Sequence, residues 1–497
     1  MSRVTAPQDM SPAEFRRVGH KLVDRISDFL ESLPARPITA AQTPENIRKL
    51  IGSGGLPAQG EPAGELLNEV ASVLFDHSLH NGHPRFFGYI TGSAAPLGML
   101  ADLLAASVNP NISIWEISPV ASEIEAQSIR WIAELIGYPV DGDGITVSGG
   151  NMANILGFIA ARTAKAPWEI RSGGLYAHQH RLTVYASRET HTWVEKAADI
   201  TGLGTDAIRW IETDTQQRID TKALEQRIDQ DLADGCLPFL VIGTAGNVST
   251  GAIDPLARLA QICAARNLWF HVDGAYGAPA AALPEASEDF AGLALADSLA
   301  LDPHKWLYVP LEAAITLVRD PEALVNAFSF RPSYYASKDD SDDKGNDFHE
   351  RGLQNSRGFR ALKVWLGLRQ AGKDGFIESI RTNIALAKRL HELAAEHAEL
   401  EAFTRNLSLT TFRYVPEDLT PGSAPVEQYL DELNQQLMMV LQKGGELFVS
   451  NALVDGKYLL RACVVNFRTT IDDIDALPDI IAREGRAVDA RLRPDGL

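Results

Sequence analysis

Cysteine is scarce in this chain. Its three cysteines in 497 residues, Cys236, Cys263 and Cys463, lie far apart and form no CxxC pair. Neither a disulfide framework nor a cysteine-based zinc site is expected, and the count suits a reducing, cytoplasmic compartment. The pair His178 and His180 in a polar stretch is too thin a cluster for a metal, so none is expected. Long apolar runs are missing as well. The longest uncharged stretch, Gly235–Ile253, carries Asn247, Ser249, Thr250 and several glycines, which makes it a strand plus a loop and not a membrane span. The first 15 residues have no apolar core of the signal-peptide kind. Positive charge is also short: 46 Lys and Arg against 65 Asp and Glu leave a net charge of −19. Such a surface repels nucleic acid and anionic membranes, and an anionic ligand would need a local positive site.

What is present is an ordinary globular composition, 45% apolar and 22% charged. The length is too great for one small core, so more than one domain is expected. Phe15, Val18, Leu22, Ile26 and Leu30 recur at helical spacing after Ser11-Pro12. The Pro- and Gly-rich passage from Leu33 to Gly64 reads as an extended arm that covers another surface, such as a partner subunit. Residues 1–85 are therefore taken as an N-terminal helical arm. From about Gly144 to Val318, short apolar runs alternate with helical stretches. Expected strands are Ile145–Val147, Leu182–Ala186, Ala207–Ile211, Phe239–Thr244, Trp269–Val272, Ser298–Leu301 and Ala314–Val318. This alternation predicts an α/β unit, residues 86–375, with a mostly parallel sheet covered on both faces. A long helical region, Phe359–His397 with a break at Gly372–Gly375, leads into a smaller α+β domain at 376–497. Its expected strands are Leu407–Phe412, Leu447–Ser450 and Leu459–Phe467.

In such sheets ligands bind beyond the carboxyl ends of the strands, and Ser148, Thr244, Asp273 and Lys305 all fall there. Lys305, in Asp302-Pro303-His304-Lys305-Trp306-Leu307, follows one strand, and Asp273, in His271-Val272-Asp273-Gly274-Ala275, ends another. A lysine to form a Schiff base and an aspartate to hold a pyridine nitrogen protonated point to a pyridoxal phosphate (PLP) site. A buried lone carboxylate needs a cationic partner, which a pyridinium would supply. Burial is expected to lower the Lys305 pKa and ease loss of its proton. Thr146-Val147-Ser148-Gly149-Gly150-Asn151 joins a strand to a helix, and its glycines and new helix start suit a phosphate. Ala275 is small where a flat ring must lie close. His304 is placed to meet the phosphate or assist proton transfer.

Taken together, these segments resemble the group II PLP-dependent amino-acid decarboxylases, the group that includes aromatic-L-amino-acid, histidine and glutamate decarboxylases. The likeness spans nearly the whole chain and includes His83-Pro84-Arg85-Phe86-Phe87-Gly88-Tyr89, Ser118-Pro119 and Asn466-Phe467-Arg468-Thr469-Thr470. It implies the fold-type-I, aspartate-aminotransferase-like architecture of PLP-dependent transferases and a homodimer whose active sites are shared between subunits. It also implies decarboxylation of an L-amino acid to its amine and CO2. By the resemblance, Lys305 carries the cofactor and Asp273 pairs with the ring nitrogen, stabilising the electron-rich quinonoid. His191 stacks on one ring face and Ala275 supports the other. Gly150, Asn151 and His304 hold the phosphate, with Ser356 reaching in from the partner. Tyr334, in Arg331-Pro332-Ser333-Tyr334-Tyr335, matches the mobile-loop tyrosine that reprotonates the α-carbon, and the acidic run Lys338–Asp347 beside it reads as part of a lid. The substrate pocket is implied at Tyr89, Thr91, Gly92, Ser113 and Trp115.

The chain departs from the family pattern in several places. Asp302 stands where asparagine is frequent, an awkward acid beside a phosphate unless it points away. Ala245-Gly246-Asn247-Val248-Ser249 replaces a threonine-rich loop. Ser113 stands where aromatic-specific members carry phenylalanine, and Ile90, Thr91 and Gly92 replace bulkier residues, so aromatic specificity is not implied. The same scaffold hosts aldehyde synthases that decarboxylate oxidatively, aminotransferases and other PLP lyases, and these stand as alternatives.

Overall fold

The computed structural model describes residues 6, 8–330 and 345–497. Tyr334 and most of the acidic run beside it lie outside the described residues.

The large unit is built on a seven-stranded sheet of order β1-β7-β6-β5-β4-β2-β3. The strands are β1 (Asp143–Val147), β2 (Leu182–Ser187), β3 (Ile208–Ile211), β4 (Leu237–Thr244), β5 (Trp269–Asp273), β6 (Ser298–Leu301) and β7 (Ala314–Val318). Each of the seven expected strands is found, within two residues at either end. Five neighbouring strands run parallel, and β7 is antiparallel to both β6 and β1. β2, β5, β6 and β7 are buried along their whole length, which is why their sequences are continuous apolar runs and not alternating ones. Helices α1 (Gly150–Lys165), α2 (Trp193–Ile200), α3 (Thr221–Ala233) and α4 (Leu256–Arg266) follow β1 to β4 in the alternation that the sequence predicts.

The smaller unit is a four-stranded antiparallel sheet, β10-β11-β9-β8, with its own apolar core. Here the strand expectations need correcting. The run from Leu407 to Phe412 is not one strand but the turn and return of a hairpin, β8 (Leu400–Asn406) and β9 (Leu409–Tyr414). Leu407, at φ +49°, makes the turn. The expected strand at Leu447–Ser450 begins only at Ser450, as β10 (Ser450–Val454), and the last strand, β11 (Lys457–Cys463), ends before Phe467. The long helix Ala361–Glu396 is interrupted at Gly372, which takes φ +66° and ψ 172°. The passage from Leu33 to Gly64 is not wholly extended, for it contains the helix Pro44–Ile51, capped by the Thr43 side chain, which accepts from the Asn46 N–H.

Two features fix the edge on which the site stands. Thr244 and Asp273 are register partners across β4 and β5, and Asp273 pairs with Ala300 of β6. Two antiparallel steps, β6 to β7 and β7 to β1, return β1 to the direction of β6. Val147 therefore delivers the Ser148-Gly149-Gly150 turn to the same edge as the ends of β4, β5 and β6.

Candidate active site

The strand ends and the loops behind them line one cavity. Six of the residues given a site role from the sequence meet in its wall, Lys305, Asp273, His191, Gly150, Asn151 and Ala275, together with Thr244, Asp302 and Ile90. Seven do not line it in the single chain. His304 sits behind Asp302, with Nε2 3.7 Å from Asp302 Oδ2 and Nδ1 donating to the Ala313 carbonyl at 2.6 Å. Ser356 is exposed, Tyr89 is 55% exposed and hydrogen-bonded through its N–H to Ser450, and from that segment it is Ile90 that enters the wall. Gly92 has a different task. A Cβ there would lie 2.1 Å from the Lys305 carbonyl oxygen, so glycine lets this strand of backbone rest on the lysine turn. Thr91 is half-buried beside it. Ser113 is buried under His349, whose N–H donates to its carbonyl, and Trp115 is held by Asp347 at its N–H and Glu123 at its indole.

The cavity's charges are arranged around Lys305. Its Nζ lies 3.0 Å from Asp302 Oδ2. Burial pulls the lysine pKa down, as expected from the sequence, but the negative charges of Asp302 and Asp273 and the hydrogen bond to Asp302 outweigh it. The net shift is upward, and the expectation of a lowered pKa is corrected: in this state Lys305 is an ammonium held in an ion pair. Nor does Asp302 point away from the glycine turn. A Cβ built on Gly150 would sit 2.6 Å from its Oδ2, so the carboxylate rests directly on the first residue of α1. Its Oδ1 is buried and has no hydrogen-bond partner.

Asp273 is held on both oxygens. The Trp193 indole Nε1 donates to Oδ2 at 2.7 Å, and the Ala275 N–H donates to Oδ1 at 3.2 Å. Beneath it runs a directed chain of buried hydrogen bonds. Trp269 Nε1 can only donate, so Ser298 Oγ accepts from it at 2.8 Å and turns its own proton to His271 Nδ1, also at 2.8 Å. His271 therefore carries its proton on Nε2 and donates it to Asn154 Oδ1 at 2.7 Å, and Asn154 Nδ2 donates to the Gly150 carbonyl at 2.9 Å. Burial pushes the His271 pKa down to about 4. At the cavity mouth, His191 Nδ1 accepts from the Trp193 N–H at 3.3 Å, and desolvation lowers this imidazole's pKa more than the Asp273 charge raises it.

Two orphaned polar atoms indicate what the cavity takes. Asp302 Oδ1 and Thr244 Oγ1 are buried without partners, and both residues line the wall. Gly149 adopts φ +154°, a conformation open to glycine alone, and this lets the turn present the free N–H groups that begin α1. An amine for a carbonyl carbon, a fixed carboxylate for a basic nitrogen and a helix start for a phosphate together fit pyridoxal phosphate. Sequence reasoning put Thr244 at a strand end without giving it a role, and it missed Trp193, Asn154 and His271. Trp193 two residues after His191, and Asn154 one helical turn after Gly150, were the available signals.

Comparison with known proteins agrees with this geometry. Residues 44–415 match the pyridoxal-dependent decarboxylase conserved domain. The chain is 32% identical over 466 residues to an aromatic-L-amino-acid decarboxylase of Bacillus atrophaeus, covering 94% of each chain. It is 29% identical to a phenylacetaldehyde synthase of Arabidopsis thaliana, covering 93% of each. Its fold superposes on a crystal structure of Oryza sativa TDC with PLP and tryptamine at a TM-score of 0.89 and 27% identity, covering 97% of this chain and 99% of that one.

Proposed function

The chain belongs to the pyridoxal-dependent decarboxylases, and from that premise we propose that it converts one L-amino acid to its amine and CO2 at the cavity around Lys305. It is a PLP-dependent carboxy-lyase, and its cofactor is pyridoxal 5′-phosphate. The observation that carries the reading is the meeting of Lys305, Asp273 and His191 in one wall. When bound, the cofactor supplies an electrophilic aldehyde carbon and a ring that takes up the electron pair of the departing carboxyl group. Lys305 Nζ would be the amine that holds that carbon. Asp273, fixed by Trp193 and Ala275, would hold a proton on the ring nitrogen by charge pairing. His191 would cover one face of the ring, and Ala275, also in the wall, would leave room on the other. Gly150 and Asn151 would offer N–H groups to the phosphate, and Thr244 Oγ1, buried without a partner, would offer the cofactor a hydrogen bond. Tyr334 is the residue we assign to return a proton to the α-carbon.

We further propose a homodimer in which the arm of residues 1–85 and the segments bearing Ser113, Trp115 and Ser356 complete the neighbouring subunit's site. Exposed apolar residues support this. Leu100, Leu103, Leu104 and Val108 form a stripe on the helix Pro96–Val108, each more than half exposed, and Phe15, Ile51 and Val70 are open on the arm. The three cysteines are all free, in keeping with a cytoplasmic enzyme. Among the described residues no helix is long and apolar enough to cross a membrane.

A second reading, oxidative formation of an aldehyde, is favoured by the likeness to a phenylacetaldehyde synthase. Incubating the PLP-loaded protein with a panel of L-amino acids and recording CO2, amine, ammonia and peroxide separates the two. Amine in a one-to-one ratio with CO2 is expected. CO2 accompanied by ammonia and peroxide instead of amine identifies the second reading, and a Lys305→Ala protein that still forms the lysine-linked absorbance band refutes the lysine assignment.

A further inference from the structure

Asp302 is a buried acid at the place where an anion has to bind. Its side chain is 2% exposed, Oδ2 is 3.0 Å from the Lys305 ammonium, Oδ1 has no partner, and the carboxylate lies on Gly150 at the start of α1. The charged and titratable groups around it are Lys305 and His304 on its own turn, Asp273 at the end of β5, and His191 ahead of α2. Lys363, from the helix Ala361–Glu396, acts on His304 from behind. One cation, Lys305, thus stands against two carboxylates. Two demands then collide when a phosphate arrives at the helix start. A carboxylate and a phosphate cannot both keep their charge in so dry a place without a large repulsion. At the same moment Lys305, an ammonium in this state, must become a free amine before it can attack a carbonyl carbon.

We propose that one proton transfer meets both demands: as the cofactor binds, the Lys305 ammonium passes its proton to Asp302, and the resulting neutral acid stands beside the phosphate as an O–H donor. This rests on the PLP reading given above. The balance is simple. The ammonium and carboxylate become an amine and a carboxylic acid, with no change of net charge. The amine then attacks the aldehyde carbon, a C=N bond forms and the aldehyde oxygen leaves as water. Protonation of the new nitrogen draws one proton from solvent. In an Asp302→Asn protein the lysine proton goes to solvent first, and protonation of the new nitrogen only returns it. The acid-bearing site therefore takes up one proton more than the amide-bearing site. The proton arrives on Oδ2, the oxygen that faces both Lys305 at 3.0 Å and the first residue of α1, so it is the Oδ2–H that donates to the phosphate, while Oδ1 remains an acceptor.

The test uses apoprotein reloaded with PLP, wild type against Asp302→Asn. Proton uptake is measured by calorimetry in buffers of different ionisation enthalpy, and affinity from about pH 6.5 to about 8.5. We expect about one more proton per site in the wild type, so that its affinity falls with rising pH about tenfold per unit more steeply than the variant's. The variant should bind more tightly at the alkaline end yet form its lysine-linked absorbance band more slowly near neutral pH, where no internal base accepts the ammonium proton. Equal proton counts and equal slopes overturn the proposal. If Asp302→Asn does not fold, the wild type alone decides. An infrared difference spectrum on PLP addition must gain the carbonyl stretch of a protonated carboxyl group, with the expected isotope shift in D2O, and its absence is equally fatal. Should neither protein form the lysine-linked band, it is the PLP reading that fails.

Discussion

Lowering the pH puts the buried chain beneath Asp273 under a strain whose size can be worked out. His271 is fully buried, its Nδ1 accepts from Ser298 and its Nε2 donates to Asn154, so it has no acceptor for a second proton. Burial holds its pKa at about 4, against an ordinary 6.5. The sign follows from linkage. Below about pH 6.5 the unfolded chain protonates this histidine while the folded one refuses the proton until about pH 4, so stability falls with pH across that window. Each unit of difference is worth 1.36 kcal/mol, and integrating from pH 7 to 4.5 gives a loss of about 2.5 kcal/mol attributable to this one side chain. Urea unfolding of the PLP-free protein, followed by tryptophan fluorescence at both pH values, reads the total loss, which other groups share. Repeating it with His271→Gln isolates the histidine, because the amide can still donate toward Asn154 but does not titrate. The variant should be the less stable protein at pH 7 and should lose about 2.5 kcal/mol less than the wild type on acidification. Equal losses in the two proteins refute the argument, since they mean that His271 is not kept neutral by its surroundings.

Two further outcomes follow from the same contacts. Trp193→Phe keeps the packing against Phe158 and His271 but removes the indole donor from Asp273. A hydrogen bond to a charged group is worth about 1.5–3 kcal/mol and this one is present without ligand, so urea unfolding of the PLP-free variant should show a loss of that size, and an unchanged midpoint means that the indole does not hold the carboxylate. Glu125→Gln leaves Arg357, wholly buried and bonded to the carbonyls of Ile112 and Thr146, without its counter-ion. This should cost about 3–5 kcal/mol in denaturant unfolding, and an unchanged midpoint means that the pair contributes nothing.

The sequence announced the sheet and the edge where ligands bind because both follow from short-range rules. A strand buried on both faces must be a continuous apolar run, so β2, β5, β6 and β7 were legible. Side chains just past such runs fall on a common edge, which brought Asp273, Lys305 and the glycine turn together on paper. The smaller sheet was read less well for equally local reasons. β8 carries Glu401, Thr404, Arg405 and Asn406 on a half-exposed strand, a pattern with no apolar run to find, and the turn at Leu407 uses a left-handed conformation that leucine does not advertise. The helix Pro44–Ile51 was hidden in a passage whose prolines and glycines suggest an extended chain.

Polar connections across the fold were out of reach for a different reason. The residues joined by the Trp269–Ser298–His271–Asn154–Gly150 chain are up to 148 positions apart in the sequence, counting from Gly150 to Ser298, and each alone looks like an ordinary core or strand residue. The same limit explains the misjudged lysine. Burial, which lowers a lysine pKa, can be inferred from a motif beside an apolar run, whereas the opposing charge depends on which carboxylates come within a few ångströms. Asp302 Oδ2 at 3.0 Å, with Asp273 acting from the neighbouring strand, reverses the sign. Asp302, awkward as a neighbour for a phosphate, is therefore the partner that holds the lysine as an ammonium, and its Oδ2 is the acceptor nearest to the proton that the lysine has to lose.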